Sequence, residues 1–208
     1  MKVKKLFFVC VLFFMVIFFS ILSVSAYVYA HKGLSSVPCT IYLADSLSTS
    51  AQNRCVAAME TWNNGCFSYD CLTSGGTVTM NSWGVEDNMN TITFVSTSDR
   101  YLGLTHMTQK KYTLLWLNWY LVEFDINMNP YFDWYVNTST HGITLEAFDG
   151  YYDFESTALH ELGHALGLDH PDEQYSNGAL VVMYYSQDPQ TTVRDLSEDD
   201  RLGVVNLY

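Results

Sequence analysis

The spacing of hydrophobic and polar residues predicts one strand, one long helix, several further strands and then a second helix along this chain. The first helix is predicted from Thr49 to about Asn64, with Gly65 as its end. Its apolar positions have the spacing of one buried helical face, and they are Ala51, Cys55, Met59 and Trp62. The opening segment Thr49-Ser50-Ala51-Gln52 resembles a capping box, in which side chains satisfy free backbone N–H groups at a helix start.

Five segments favour strands because they are short, apolar and bounded by turn-forming residues. They cover residues 39–44, 77–83, 91–96, 101–107 and 121–128. In the last segment the side chains alternate, with Val122, Phe124, Ile126 and Met128 on one side and Glu123, Asp125 and Asn127 on the other. This alternation predicts one apolar face and one polar face. The sequence contains no internal repeat and no low-complexity linker, so we expect one domain.

The first thirty residues have the composition of a secretory signal peptide. Three lysines near the start precede an apolar run from Leu6 to Leu22. Small residues follow, and cleavage is expected after Ala26 or after Ala30. The alternative is an uncleaved signal anchor, because the apolar run approaches the roughly 20 residues that span a bilayer. We expect a secreted, extracellular protein that has no membrane contact once residues 1–30 are removed.

Residues 31–208 fit a single domain in size and carry a strong excess of acid. This part of the chain has seven basic and 22 acidic residues, a formal net charge of −15. Such a surface repels nucleic acid, which excludes nucleic acid as an expected partner. A soluble, self-repelling surface is the simplest consequence of the charge, and we expect a monomer.

Four cysteines follow the signal peptide, an even number that suits disulfide bonds in an oxidising compartment. They are Cys39, Cys55, Cys66 and Cys71. Of the three pairings that four cysteines allow, we expect Cys66 with Cys71, closing a local loop, and Cys39 with Cys55, joining the first strand to the first helix. Four free thiols are the alternative.

The strongest chemical signal lies between residues 160 and 170, where the sequence matches H-E-x-x-H-x-x-G-x-x-H. Residues four apart share one face of a helix, so His160 and His164 can present two imidazole nitrogens to one metal ion, with Glu161 beside it. Gly167 can adopt a left-handed backbone that ends the helix and turns the chain. His170 then becomes the third ligand.

Three protein nitrogens leave the fourth position of a tetrahedral zinc ion to water, as in catalytic rather than structural zinc sites. Zinc lowers the pKa of such a water to about 7, and Glu161 can take its proton as the water attacks a carbonyl group. The motif therefore predicts peptide hydrolysis with one catalytic zinc ion held by His160, His164 and His170, and with Glu161 as the general base.

Together with three further segments, this motif resembles the metzincin metallopeptidases and, among them, the matrixins. Residues 152–159 look like the matrixin approach to the zinc helix, with Asp153 as its N-cap. Residues 179–184 resemble the Met-turn, in which Met183 would form an apolar floor beneath the zinc ligands. Residues 196–208 are similar to the closing matrixin helix, with its paired aspartates and terminal Leu-Tyr. The resemblance covers residues 150–208 closely and the earlier part of the chain only by element order.

The resemblance implies an α+β fold of the metzincin, or zincin-like, type. This fold has a twisted five-stranded mixed sheet with two long helices, and a small C-terminal subdomain that ends in a third helix. The N-terminal subdomain would extend to about Gly167, and the C-terminal subdomain would cover residues 168–208. One antiparallel edge strand borders the cleft and pairs with an extended substrate. Residues 102–107 are the candidate for this edge, and the apolar segment Tyr112–Tyr120 competes with them as a strand or a flap.

In function, the resemblance implies a secreted zinc endopeptidase that acts on protein or peptide substrates. The alternative is a non-hydrolytic extracellular binding module on a metzincin scaffold. Inactive relatives typically lack the glutamate or a zinc ligand, whereas this chain keeps Glu161 and all three histidines. The intact set favours the enzyme, because hydrolysis requires that base.

Two features depart from the matrixin pattern. Matrixins usually have a proline two residues after the Met-turn methionine, where this chain has Tyr185. Other metzincins carry a tyrosine there, so Tyr185 is a candidate transition-state donor or part of the specificity-pocket wall. Animal matrixins also hold a second, structural zinc ion through further histidines. Because His31, His106 and His141 lack the required spacing, one zinc is predicted and these three are expected to be surface or satisfied core residues.

The sequence leaves calcium open. Asp133, Asp149 and Asp153 are acidic residues in the segment before the zinc helix that could hold such an ion. No Asp-x-Asp-x-Asp-Gly loop is present, so no calcium site is assigned.

Overall fold

The computed structural model describes residues 27–66, 68–80, 82–98, 100–111, 119–137 and 150–208. Over these ranges the chain forms eleven strands and three helices. The strands are β1 (Val28–Tyr29), β2 (Cys39–Ala44), β3 (Leu72–Val78), β4 (Asn90–Thr93), β5 (Gly103–Lys111), β6 (Trp119–Met128), β7 (Trp134–Tyr135), β8 (Tyr152–Asp153), β9 (Leu168–Asp169), β10 (Tyr175–Ser176) and β11 (Ala179–Leu180). The helices are α1 (Thr49–Cys66), α2 (Phe154–Leu166) and α3 (Glu198–Val205).

Five of the strands form one mixed sheet in the order β3-β2-β4-β6-β5. The contacts of β2 with β3 and β4, and of β4 with β6, are parallel, whereas β5 runs antiparallel to β6 at the edge. The α+β class, the five-stranded mixed sheet and the two long helices followed by a third are therefore confirmed. The predicted edge strand is also confirmed, because residues 102–107 overlap β5.

Helix α1 buries the predicted face in the hydrophobic core, since Ala51, Cys55, Met59 and Trp62 are all buried. The predicted capping box at its start is wrong. The Ser48 hydroxyl, one residue earlier, accepts a hydrogen bond from the Ala51 N–H over 3.2 Å, while Gln52 donates to backbone carbonyls before the helix.

The predicted end of α1 at Gly65 is also wrong, because the helix continues to Cys66. The absence of a side chain at Gly65 serves packing instead. A Cβ atom there would lie 2.5 Å from Cδ1 of Leu196, so the glycine lets the C-terminal part of the chain approach α1 closely.

The predicted strand at 77–83 is displaced, since β3 ends at Val78. Most of β3 is exposed and it contains two glycines, so it lacks the apolar alternation that marks a strand in the sequence. Its backbone hydrogen bonds to the parallel strand β2 hold it in the sheet. The strand predicted at 91–96 corresponds to β4, which is shorter and ends at Thr93. The strand predicted at 121–128 corresponds to β6, which is longer and begins at Trp119.

The expected polar face of β6 is buried as completely as its apolar face. Glu123, Asp125 and Asn127 are 6%, 3% and 2% exposed. Backbone N–H groups of the loop before β4 donate to the carboxylates of Glu123 and Asp125, and the N–H of Val95 donates to Asn127 over 2.8 Å. The three polar side chains therefore fasten the chain around β4 to the sheet.

Cys39, Cys55 and Cys71 are buried free thiols, and neither predicted disulfide pairing is present. The expected pairing placed Cys39 opposite α1. Instead, the parallel contact of β2 with β3 places Cys39 next to Cys71, and the Cys39 N–H donates to the Cys71 carbonyl over 2.7 Å. Burial raises the pKa of the Cys39 and Cys55 thiols to about 12.

Several predictions fall on residues outside the described ranges. They include the predicted signal peptide as far as Ala26, the part of the competing segment Tyr112–Tyr120 that precedes β6, the histidine at position 141 and the aspartate at position 149. Among the helices in the described ranges, none is both long enough and apolar enough to cross a bilayer.

Candidate metal centre and cleft

Helix α2 begins at the predicted N-cap, Asp153, whose carboxylate accepts hydrogen bonds from the N–H and the hydroxyl of Ser156. The same carboxylate, which is fully buried, also accepts two hydrogen bonds from the Arg194 guanidinium. Arg194 and Arg54 both pair with the neighbouring Glu155. Because Asp153 is committed to the cap and to Arg194, it is not the calcium candidate that the sequence suggested.

Helix α2 ends at Gly167, as predicted. Gly167 has a φ of 113°, in the left-handed region that favours glycine, and its N–H donates to the carbonyls of Gly163 and His164. The chain then reverses through β9, which leads directly to His170. The glycine is therefore the turning point that brings the third histidine back to the helix.

The three predicted ligands converge. The Nε2 atom of His170 lies 3.1 Å from Nε2 of His160 and 3.1 Å from Nε2 of His164. These histidines are the one group of three or more potential metal ligands among the residues that the structure describes.

Backbone carbonyls fix the orientation of two of these imidazoles. Nδ1 of His160 donates to the Val182 carbonyl over 2.8 Å, and Nδ1 of His164 donates to the Leu168 carbonyl over 2.9 Å. With the proton on Nδ1, the lone pair of each ring lies on Nε2, the atom that faces the other histidines. Burial lowers the pKa of His160 and of His164 to about 4, so both rings are neutral at neutral pH, the form that binds a metal.

This donor set fits zinc. Zinc binds imidazole nitrogen at about 2.0–2.1 Å in tetrahedral geometry, which places two ligand nitrogens about 3.3 Å apart. The observed separations of 3.1 Å agree with that spacing to within a few tenths of an ångström. The Nε2 lone pairs of His160 and His164 both face the point where the three rings converge, as binding to one shared metal ion requires.

His31, which we expected to be a surface or satisfied core residue, is buried and supports α2. Its Nε2 lies 3.0 Å from the His164 carbonyl, and its Nδ1 accepts a hydrogen bond from the Gly33 N–H. His31 therefore donates through Nε2 and holds the last turn of α2. No local pattern in the sequence indicates this contact, because the two histidines lie far apart in the chain.

Glu161 lies against the edge strand β5. The hydroxyl of Thr105 donates to its Oε2 atom over 2.6 Å, and Glu161 is only 5% exposed. Burial raises the pKa of the Glu161 carboxyl, while the nearby His164 and the Thr105 hydroxyl oppose the rise. Sequence reasoning identified Glu161 but not Thr105, which lies in the strand already expected to border the cleft.

Met183 lies in a turn closed by a hydrogen bond from the Tyr184 N–H to the Val181 carbonyl. It is 2% exposed and packs beneath α2, where its sulfur occupies the space that a side chain on Gly163 would need. The carboxylate of Asp200 accepts hydrogen bonds from the N–H groups of Val182 and Met183, which anchors the turn to α3. Asp200 is one of the paired aspartates in the C-terminal segment, and that pair is the sequence signal for this anchor.

A cleft of about 610 Å³ opens above the histidines. One wall is formed by residues 100–105, which include the start of the edge strand β5, and the other by residues 184–187 and Val193. Tyr185 lines this second wall and is 65% exposed, and its ring contacts that of Tyr184 at a tilt of 45°, with ring centroids 4.5 Å apart. Thr157 on α2 donates to the Gln187 side chain over 2.8 Å, which fastens the second wall to the helix.

Comparisons with known proteins agree with this geometry. The family model for matrixin matches residues 82–208, and the chain belongs to the matrixin family. Metalloendoproteinase 1-MMP of Arabidopsis thaliana is 40% identical over 75 residues, which cover 36% of this chain and 18% of that protein. Metalloendoproteinase 1 of Glycine max is 38% identical over 66 residues, which cover 32% of this chain and 20% of that protein. The matched segments thus span about a fifth of each relative.

Proposed function

We propose that this protein is a secreted, zinc-dependent endopeptidase. The convergence of three histidine Nε2 atoms beside a buried glutamate carries the proposal. Membership of the matrixin family and the similarity to two plant metalloendoproteinases support it. A zinc ion bound by His160, His164 and His170 supplies Lewis acidity, which polarises a substrate carbonyl and makes water a better nucleophile.

The chain's own residues bind the peptide and move the proton. Strand β5 is the edge of the sheet, so its outer N–H and C=O groups can pair with an extended peptide lying in the cleft. The carboxylate of Glu161 accepts a proton from the attacking water and passes it to the amine that leaves. Its burial favours this exchange, because a raised pKa brings a carboxyl group closer to the pH at which it works.

Met183 and Tyr185 have supporting roles in this proposal. Met183 provides the apolar floor under the histidines, as its burial against α2 suggests. Tyr185 is an exposed residue of the cleft wall, so its hydroxyl can reach a bound peptide and donate to the oxygen that gains charge. A role in the pocket wall alone would leave kcat unchanged when Tyr185 is replaced with phenylalanine.

Cleavage of the signal peptide after Ala26 is the processing that best suits the fold. Strand β1 pairs with β9 directly after α2, and the Ala30 N–H donates to the Gly167 carbonyl over 2.9 Å. The Tyr27 hydroxyl accepts a hydrogen bond from Asn206. Cleavage after Ala30 would remove these contacts, which lie at the ends of α2 and α3. Mass spectrometry of the secreted protein should find Tyr27 at its N-terminus, and a chain that begins at His31 would contradict this.

The function is tested by expressing the full chain in a secreting host and exposing a diverse peptide pool to the purified protein. We expect cleavage that a zinc chelator stops and added zinc restores. The Glu161→Gln variant should retain zinc but lose nearly all activity, because only the proton acceptor changes. Equal cleavage by both proteins would refute the mechanism. Zinc binding with no cleavage by either protein would instead favour the non-hydrolytic binding module.

A further inference from the structure

Strand β5 contacts the predicted general base through a side-chain hydroxyl. Thr105 Oγ1 lies 2.6 Å from Glu161 Oε2 and 3.1 Å from the Glu161 carbonyl oxygen. A hydroxyl has one hydrogen, so the shorter contact is the one that receives it. Hydrogen bonds that donate to a carboxylate are about twice as strong as those between neutral groups. Thr105 therefore fixes one of the two carboxylate oxygens.

A second residue of the same strand makes room for this carboxylate. A Cβ atom on Gly103 would lie 2.7 Å from both Cγ and Oε1 of Glu161, too close for any real side chain. Gly103 is not among the glycines with positive φ, so its backbone conformation does not require glycine. The contact with Glu161 does.

The two contacts act on opposite sides of one carboxylate. Thr105 and Gly103 point to the same side of β5, as residues two apart in a strand do. Glu161 is held between them and is 5% exposed. A buried carboxylate with a fixed hydrogen bond has little freedom to rotate, and such restraint is what a catalytic base needs.

We propose that Thr105 and Gly103 are positioning residues for the general base Glu161. The Thr105 hydroxyl holds Oε2, the missing side chain of Gly103 admits the carboxylate, and Oε1 is left as the oxygen that takes the proton. This inference rests on the proposed peptidase function. It assigns two tasks to β5, because the strand that pairs with the peptide also sets the position of the base.

Kinetics of Thr105 variants test the proposal first. Thr105→Val keeps the shape of the side chain and removes the donor, so kcat should fall by about 10- to 100-fold, the usual effect of losing a partner of a site residue. KM and zinc content should stay unchanged. Thr105→Ser, which keeps the hydroxyl, should restore most of kcat. Thr108→Val on the same strand is the matched control, because Thr108 does not line the cleft, and it should behave as wild type.

A measurement on the metal-free protein tests the contact without any reaction. Thr105→Val leaves the buried Glu161 carboxylate without its donor, so it should lower the urea midpoint of unfolding. In the Glu161→Ala background, the same substitution should leave the midpoint nearly unchanged. An equal shift in both backgrounds would show that Thr105 acts on stability independently of Glu161, and would overturn the proposal.

Gly103→Ala provides a second variant, in case Thr105→Val does not fold. It should lower kcat at unchanged zinc content, because the added Cβ displaces Glu161. Wild-type kcat in folded Gly103→Ala or Thr105→Val protein would overturn the inference and leave the peptidase function intact. A wild-type protein that binds zinc but cleaves nothing would overturn the peptidase function itself, together with the positioning roles that depend on it.

Discussion

The Nδ1 atom of His160 donates a hydrogen bond to the carbonyl oxygen of Val182 over 2.8 Å, which joins the first zinc-ligand candidate to the turn beneath it. The carboxylate of Asp200 holds the same turn through the N–H groups of Val182 and Met183. A side chain of α3 thus helps to orient a histidine of the candidate metal centre. The Asp200 carboxylate can only accept these hydrogen bonds. A single substitution that introduces a donor at this position therefore tests the arrangement.

Replacing Asp200 with asparagine should weaken zinc binding by about 10- to 100-fold, the usual cost of disturbing an outer-shell partner. Asp200 is 1% exposed and accepts from the N–H groups of Val182, Met183 and Ser197, whereas asparagine would direct an amide donor at some of these donors. Competition with a chelating dye measures the affinity. Glu198→Gln, at an exposed position of the same helix, is the control. An unchanged affinity for zinc in Asp200→Asn would show that the hydrogen bonds of Asp200 do not affect the candidate metal centre.

Replacing Gly163 with alanine should destabilise the protein although alanine favours a helix. The gain in helix propensity is about 1 kcal/mol. The new Cβ would lie 3.0 Å from Cζ2 of Trp62 and closer still to the sulfur of Met183, and overpacking of this kind costs about 1–3 kcal/mol. Urea unfolding should therefore give a lower free energy of unfolding. The same substitution in a Met183→Ala background, which provides space, should cost less, and an equal cost would rule out the proposed clash.

Replacing Arg194 with alanine should lower the free energy of unfolding by about 3–5 kcal/mol, the range for breaking a buried ion pair. Arg194 is 7% exposed and binds Asp153 and Glu155, so its loss leaves two buried carboxylates at the start of α2 with fewer partners. Arg201→Ala is a suitable control, because Arg201 is exposed and donates to the backbone carbonyl of Leu196 rather than to a buried carboxylate. Similar losses of unfolding free energy in both variants would show that burial of the Arg194 ion pairs does not increase their contribution to stability.

The buried Asp125 should make stability depend on pH. Burial raises the pKa of its carboxyl, and hydrogen bonds from Thr91 and the Val85 N–H only partly oppose the rise. An acid with a higher pKa in the folded chain contributes stability that is complete below its unfolded pKa, about 3.9, and that is lost as the pH rises through the folded pKa. Relative to Asp125→Asn, the wild-type free energy of unfolding should therefore fall as the pH rises above about 4. A difference that stays constant, or grows with pH, would contradict the assigned direction.

The convergence of the three histidines was predictable because its geometry is local. Helical spacing places His160 and His164 on one face, and a glycine at position 167 permits the reversal to His170. Each of these steps involves residues close together in the sequence. The apolar face of α1 was predictable from hydrophobic periodicity, and the edge position of β5 from the order of the elements along the chain.

Features that depend on contacts between distant segments were not predictable. The polar residues of β6 alternate like a solvent-facing row, yet the chain around β4 covers them, as the hydrogen bond from Val95 to Asn127 illustrates. The contact between Cys39 and Cys71 depends on the parallel pairing of β2 with β3, and β3 has no strand-like pattern of its own. Thr105 is recognisable as a partner of Glu161 only once the edge strand is placed beside α2.

The most direct test of the account is X-ray absorption at the zinc edge on protein purified from the secreting host, combined with metal analysis. We expect one zinc ion per chain, with three nitrogen ligands at about 2.0–2.1 Å and one further oxygen. In the His170→Ala variant, the number of nitrogen ligands should fall to two or the metal should be lost. A protein that carries no zinc and binds none when it is added, or a site closed by a fourth protein ligand, would contradict the account.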